Sequence, residues 1–297
     1  MYFSILKDFL FKLGLRDTTP VRDSEDISRA IFDNVWPIVC VDHSDGSSDG
    51  FAVFEGLYKK LGFELIPFVF IVPGDKIVYQ LFGTAAGARG VLKKPLQPQE
   101  AAKLIRALVP PPNDAATSLA HQVTRLMLKG DVARSMPALA KLAQVPSHKR
   151  PAEVALARCE MKIGHVTQAQ QRLGRLLQAD GNDVRVMAEL ADCHRKNSQF
   201  TQAIALYRKI HSLHPQLHIK TWEQILLHVE LDQLDEASLL LDELQGDPTF
   251  RDLSTEGLAR LIHFLGLTQT VANVLKAQPE ALKAYFSWIS VHAQARG

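Results

Sequence analysis

From residue 116 onward the sequence repeats every 34 residues, and this period constrains the fold more than any other feature. Frames starting at 116, 150, 184 and 218 stay in register without a gap. Their fifteenth residues are Gly130, Gly164, Ser198 and Asp232, and their twentieth are Ser135, Ala169, Ala203 and Ala237. The twenty-fourth are Leu139, Leu173, Tyr207 and Leu241, and the twenty-seventh are Leu142, Leu176, Ile210 and Leu244. A unit this short cannot bury an apolar face alone, so it must stack on its neighbours. Small residues let two antiparallel helices approach, and the large ones fill the space between them. The clearest frame reads VRVMAELADCHRKNSQFTQAIALYRKIHSLHP, 184–215, and its final proline ends the second helix.

This pattern resembles the tetratricopeptide repeat (TPR). The first frame departs from it, with Pro137 inside its second helix. A degenerate fifth unit near 252–279 and a capping helix and tail over 280–297 complete the expected solenoid, since terminal repeats have a neighbour on only one side. The resemblance implies a concave groove lined by the first helix of each repeat at its second, fifth, ninth, twelfth and thirteenth positions. Those positions include Met127, Leu128, Arg158, Met161, Lys162, Arg185, Asp192, Arg195, Lys196, Trp222 and Leu226. Guanidinium, thioether and indole groups together suit an extended or helical peptide with acidic and apolar residues. The same residues also read as solvated charges on a helix face. The Lys/Asn set that clamps a terminal carboxylate in chaperone-binding members is not evident, so chaperone docking is not expected.

Before residue 109 the chain has a different grammar, and 297 residues leave room for two domains. Helical patterns at 2–14, 24–35, 51–62, 76–87 and 97–108 alternate with an extended piece at 18–21 and the strand-like runs PIVCVD, PFVFIV and GVLK. Continuous apolar strands between helices predict a parallel sheet covered on both faces. VPPPND then breaks the pattern and sets a linker over 109–115 between the 1–108 domain and the repeats of 116–279. The fold class expected is α/β followed by all-α.

The stretch VCVDHSDGSSDGF, 39–51, follows the first buried run. Read as a calcium loop beginning at Asp45, it puts Ser47, Asp49 and Gly50 in place but Gly56 where a bidentate carboxylate is needed. Read with LKDFLFKLG (6–14), PFVFIV (67–72) and AGARGVLKKP (86–95), it resembles the receiver domain of bacterial response regulators, of the chemotaxis type. The spacing of Gly14, Asp42, Gly50 and Lys94 agrees with that family, over residues 1 to about 108. The resemblance implies a flavodoxin-like fold, with Asp42 in the phospho-acceptor position and Lys94 in that of the lysine pairing with the phosphoryl group. Such a carboxylate attacks phosphorus while the cation neutralises the transferred oxygens.

The departures from the family bear on function. Counted back from Gly14, the first strand and the acidic pair that holds Mg²⁺ fall before Met1, so the first strand is missing here. Either a start upstream supplies them or the gap is closed by a rearrangement or a partner. The switch hydroxyl falls on Val72, which has none, and the aromatic switch on Val91. Gly46 stands where the family has a loop proline. These losses predict a degenerate receiver used for docking, with phosphotransfer impaired. The alternative is a phosphorylatable regulator in a two-component phosphorelay, with Mg²⁺ held by groups such as Asp45 or Asp49 and Asp42 controlling the repeats. A retained salt bridge at the sheet edge explains Asp42 and Lys94 as well.

Composition narrows the rest. A net charge of +2 gives no drive toward nucleic acid or membrane surfaces. Three cysteines without a CxxC imply a reducing compartment. Phe3, Leu6, Leu10 and Leu13 make one face of a helix that Lys7, Asp8 and Lys12 interrupt, so no membrane segment is expected. His211, His214 and His218 have helical spacing, but Pro215 interrupts them, and no metal site is expected. The sequence thus reads as a cytoplasmic bacterial signalling adaptor and not an enzyme. It needs no cofactor unless Mg²⁺ serves the phosphorylatable form, and its partners are proteins, such as a histidine kinase or a motility or chemotaxis component.

Overall fold

A computed structural model of the chain describes residues 7, 10, 11, 18–21, 24–33, 38–43, 57, 60, 62–74, 88–109, 114–214, 221–231, 233, 236, 239 and 240. Most of the expected helices at 2–14, 51–62 and 76–87, the loop at 44–51, the fifth repeat and the capping helix lie outside those residues.

Three short parallel strands carry the N-terminal half. β1 (Val39–Asp42), β2 (Phe68–Pro73) and β3 (Gly90–Lys94) lie in the order β1-β2-β3, with Val41 opposite Phe70 and Ile71 opposite Leu92. Side chains alternate across a strand. Phe68, Phe70 and Val72 therefore join Ile27, Ile31 and Val41 on one face, under α1 (Ser24–Asp33). Val69 and Ile71 join Leu92, Ala101 and Leu104 on the other, under α2 (Pro98–Leu108). Both faces are covered, as the unbroken apolar runs require. Residues 18–21, expected to be extended, form no strand, and β2 is the hydrogen-bonded neighbour of β1 among the described residues.

The helical half begins at α3 (Ala115–Leu128) and α4 (Val132–Leu142), followed by α5 (Lys149–Lys162) and α6 (Val166–Ala179). Then come α7 (Val184–Lys196), α8 (Phe200–Leu213) and α9 (Thr221–Glu230). Asp114 caps α3 by accepting from Thr117 N at 2.7 Å, and Asp183 caps α7 by accepting from Val186 N at 2.9 Å. Asp131 does the same for α4, whose helix runs on through Pro137.

The turn between paired helices repeats as closely as the sequence does. Gly130, Gly164 and Ser198, each fifteenth in its frame, have φ of 79°, 87° and 56°. The next residue donates back to the carbonyl five positions earlier: Asp131 to Leu126 at 2.9 Å, His165 to Glu160 at 2.8 Å, Gln199 to His194 at 2.8 Å and Gln233 to His228 at 2.8 Å. This is the Schellman arrangement, which favours a left-handed residue and hence glycine. Connections this short make the joined helices antiparallel. Ser135, Ala169 and Ala203, at the twentieth position, are buried, as are Leu139, Leu173 and Tyr207 at the twenty-fourth.

The described contacts divide the chain into two compact units, Met1–Gln199 and Phe200–Gly297. The first contains the three-stranded sheet and the helices through α7, so the α/β half and the leading repeats fold against each other.

Candidate functional site

The first helices of three successive repeats, α3, α5 and α7, turn their groove positions toward the N-terminal half. A single cleft of about 850 Å³ is lined by Met127, Leu128, Arg158, Met161, Lys162, Asp192, Arg195 and Lys196 from these helices. Every one of them is among the groove positions expected from the repeat register. Gly130 and Glu189 add to that wall, and the opposite wall is formed by Glu25, Ser28, Arg29 and Phe32 of α1 together with Lys60.

One end of the groove is closed by the chain itself. A single 3-10 turn, Phe63–Leu65, sits on α3 and α5 just before β2. Gly62 opens it with φ of 95°, and Thr124 donates to Gly62 O at 3.1 Å. A Cβ at Gly62 would come within 3.2 Å of both Met127 Cβ and Thr124 Cα, so glycine permits the approach as well as the dihedral. Leu65 is buried with Val123, Met127, Leu139, Ala152 and Leu156 in the core of the first repeats.

Glu64 is the chemical centre of this contact. Its side chain is fully buried, and Arg158 Nη1 donates to Oε1. Gly62 N donates to Oε2 at 2.9 Å, and Arg185 Nη2 lies 3.9 Å from Oε1. Arg158 also meets Glu189 Oε1 at 3.5 Å. A buried carboxylate is tolerable only when paired and hydrogen-bonded, and this one is both. Arg158 and Arg185, read from sequence as contacts for an incoming peptide, lie beside an internal acid, because the 62–66 turn enters the groove next to them.

The groove charges farther along are more open. Arg195 is 43% exposed and lies 4.0 Å from Asp192. Lys162 and Lys196 are exposed. Lys60 is held by Glu25 at 2.6 Å and Ser28 at 2.9 Å. Lys129 lies 4.9 Å from the ring centre of Phe32, which is 38% exposed. Trp222 and Leu226 fall on α9, and their side chains lie outside the described residues. Polar bonds hold the repeats in register. Arg172 on α6 donates to Glu160 at 2.7 Å and also to Glu153, and Arg150 donates to Asp183. A His–Gln pair recurs at the eleventh and sixteenth positions, His194 with Gln199 and His228 with Gln233, each at 2.8 Å.

At the carboxyl edge of the sheet, Lys94 Nζ lies 2.5 Å from Asp42 Oδ1 and donates to His43 O at 3.1 Å. The carboxylate is 42% exposed and the amine 10%. Two residues 52 positions apart therefore converge where ligands bind parallel α/β sheets. Val72 is fully buried in β2 and Val91 half-buried in β3. Among the described residues no group of three His, Cys, Asp or Glu side chains could hold a metal ion. Burial, with Glu189 and Asp192 adding to it, pushes the Cys193 thiol up to about 12, and burial raises Cys159 as well. Neither is a thiolate nucleophile at neutral pH.

Sequence reasoning missed Glu64, Gly62 and the wall of α1. The signal for Glu64 was a lone carboxylate inside the apolar run GFELIPF, where burial demands a cation.

No protein-family model and no curated protein matches the chain. Among solved structures it is similar to the MamA protein, at 14% identity over 60% of this chain and 94% of that one, with a TM-score of 0.44. It is similar in the same measure to nearly identical TPR-like repeats of the kinesin light chain type from Podosopora anserina. There the identity is 18%, over 60% of this chain and 95% of that one, and the TM-score is again 0.44. No helix among the described residues is long and apolar enough to cross a membrane.

Proposed function

We propose that the chain is a bacterial signalling adaptor whose repeats hold a partner protein against a receiver-like module. The observation that carries this is the cleft, where groove positions from three successive repeats converge and α1 closes the other side. The α/β half is a degenerate receiver with a flavodoxin-like strand order, and it docks instead of signalling by phosphate. The Asp42–Lys94 pair and its place on the sheet support the receiver likeness. Valine at the switch position supports impaired output, since no hydroxyl there reports a phosphoryl group. Its setting is the cytoplasm, and a histidine kinase or a motility component is the kind of partner the receiver likeness implies. Charge reversal at Arg195 and Lys196 tests the adaptor reading: partner proteins recovered by proximity labelling with the full chain should be lost. Full retention would remove the groove from the account.

A second reading is favoured by the partly exposed Asp42 carboxylate beside Lys94, which is the arrangement a phospho-acceptor needs. The described residues do not make a Mg²⁺ site for it. Incubation with acetyl phosphate and Mg²⁺, followed by intact-mass measurement, should give no phosphoryl adduct. An adduct abolished by Asp42→Asn would establish the second reading.

A further inference from the structure

Arginines gather where the amino edge of the sheet meets the amino ends of α5 and α7. Arg89 directly precedes β3, and its backbone N–H donates to Phe68 O at 2.8 Å. Phe68 opens β2 just beyond the turn that carries Glu64, and Arg185 Nη2 lies 3.9 Å from Glu64 Oε1. Arg89 and Arg185 thus flank one short stretch of chain. Arg150 joins them through Asp183, which caps the helix bearing Arg185 and accepts from Arg150 Nε at 2.9 Å. The three guanidiniums act on one another. Partial withdrawal from water, and then the charges of Arg185 and Arg150, hold Arg89 below its ordinary value. Burial lowers His148 as well, with Asp114 opposing and Arg89 adding to the effect.

The nearby acids already have partners. Asp183 also accepts from Val186 N at 2.9 Å, and Asp180 lies 3.4 Å from Arg150. Asp114 accepts from Thr117 N, and Glu64 is enclosed by Arg158 and Gly62 N. Arg89 is exposed, and among the described residues no carboxylate is among the charges acting on it. Like charges held together without a counter-charge are unfavourable, and an anion from solution relieves them.

We propose that Arg89, Arg150 and Arg185 form a binding site for a free phosphate-class oxyanion, built jointly by the α/β half and the repeats. Arg89 offers its planar fork from the sheet, and Arg150 and Arg185 offer theirs from α5 and α7; such forks match phosphate oxygens. The site is separate from the Asp42–Lys94 pair, because Arg89 stands before the first residue of β3 and Lys94 is its last. It does not depend on the adaptor reading. A bound anion ties the two halves together, so occupancy adds to the stability of the full chain.

The test follows thermal unfolding of the full chain in inorganic phosphate and in chloride, at equal ionic strength and neutral pH. Phosphate at about ten times its dissociation constant should raise the midpoint by about 3 °C over chloride. Arg89→Gln should abolish that rise. In chloride the same variant should leave the midpoint unchanged or raise it, because repulsion on Arg150 and Arg185 is lifted. Lys94→Met should keep the phosphate response. Equal midpoints in the two salts, or a phosphate response that survives Arg89→Gln, would overturn the site. A response lost with Lys94→Met and kept with Arg89→Gln would put the anion at the carboxyl edge and overturn it too. A midpoint lowered in chloride by Arg89→Gln would show that Arg89 already has its counter-charge, which also contradicts the proposal.

Discussion

Arg158 on α5 and Arg195 on α7 project from the first helices of successive repeats, yet the side chain of one is 10% exposed and that of the other 43%. Around Arg158 the concave face is sealed by Gly62–Ile66 and the charge is spent on Glu64. Around Arg195 the same kind of surface stays open, walled by α1 but not filled. The difference teaches that residue type and repeat position do not decide the use of a groove residue. What decides it is whether another part of the chain reaches it. In the sealed stretch a missing partner leaves a buried charge, which is costly; in the open stretch water replaces a missing partner.

This contrast can be broken most severely at Glu64. Glu64→Ala leaves Arg158 buried without its main acid, and urea unfolding should show a loss of about 3–5 kcal/mol. A loss below about 1 kcal/mol would mean that the stretch is not sealed as described. Gly62→Ala should cost about 1–3 kcal/mol, because the new Cβ meets Met127 and Thr124 and the dihedral is left-handed. At Gly164, where φ is 87° and nothing lies within 4 Å of a new Cβ, alanine meets the dihedral penalty alone. A loss of about 1 kcal/mol is expected there, and Ser198→Gly at the matching turn should stabilise by a few tenths to about 1 kcal/mol. The smallest stability effect belongs to the open stretch: Lys162→Glu with Lys196→Glu should stay within about 0.5 kcal/mol. That same pair should weaken binding of a partner protein at the groove, so stability and binding separate in the open stretch and not in the sealed one.

Periodicity is a local property, and what depended on it was legible in the sequence. The 34-residue register placed the small and large core positions and the eight groove residues of the cleft. Apolar runs placed β1, β2 and β3, and Asp42 and Lys94 meet at the ends of two of those strands. The Thr18–Val21 piece, read as extended, lies in no helix and in no strand of the sheet. Glu64 was missed because its partner Arg158 lies 94 residues along the chain, and no period links them. The wall of α1 was missed because the helical pattern at 24–35 does not say what lies beyond its buried Ile27 and Ile31; Phe32 and Arg29 line the cleft.

A double-mutant cycle tests the sealed contact most directly, with Glu64→Gln, Arg158→Met and both together compared by urea unfolding of the full chain. If the repeats hold the α/β half through that pair, the two substitutions are coupled by at least about 1.5 kcal/mol. Additive losses, within about 0.5 kcal/mol, would show that Glu64 and Arg158 do not act on each other and would contradict the account.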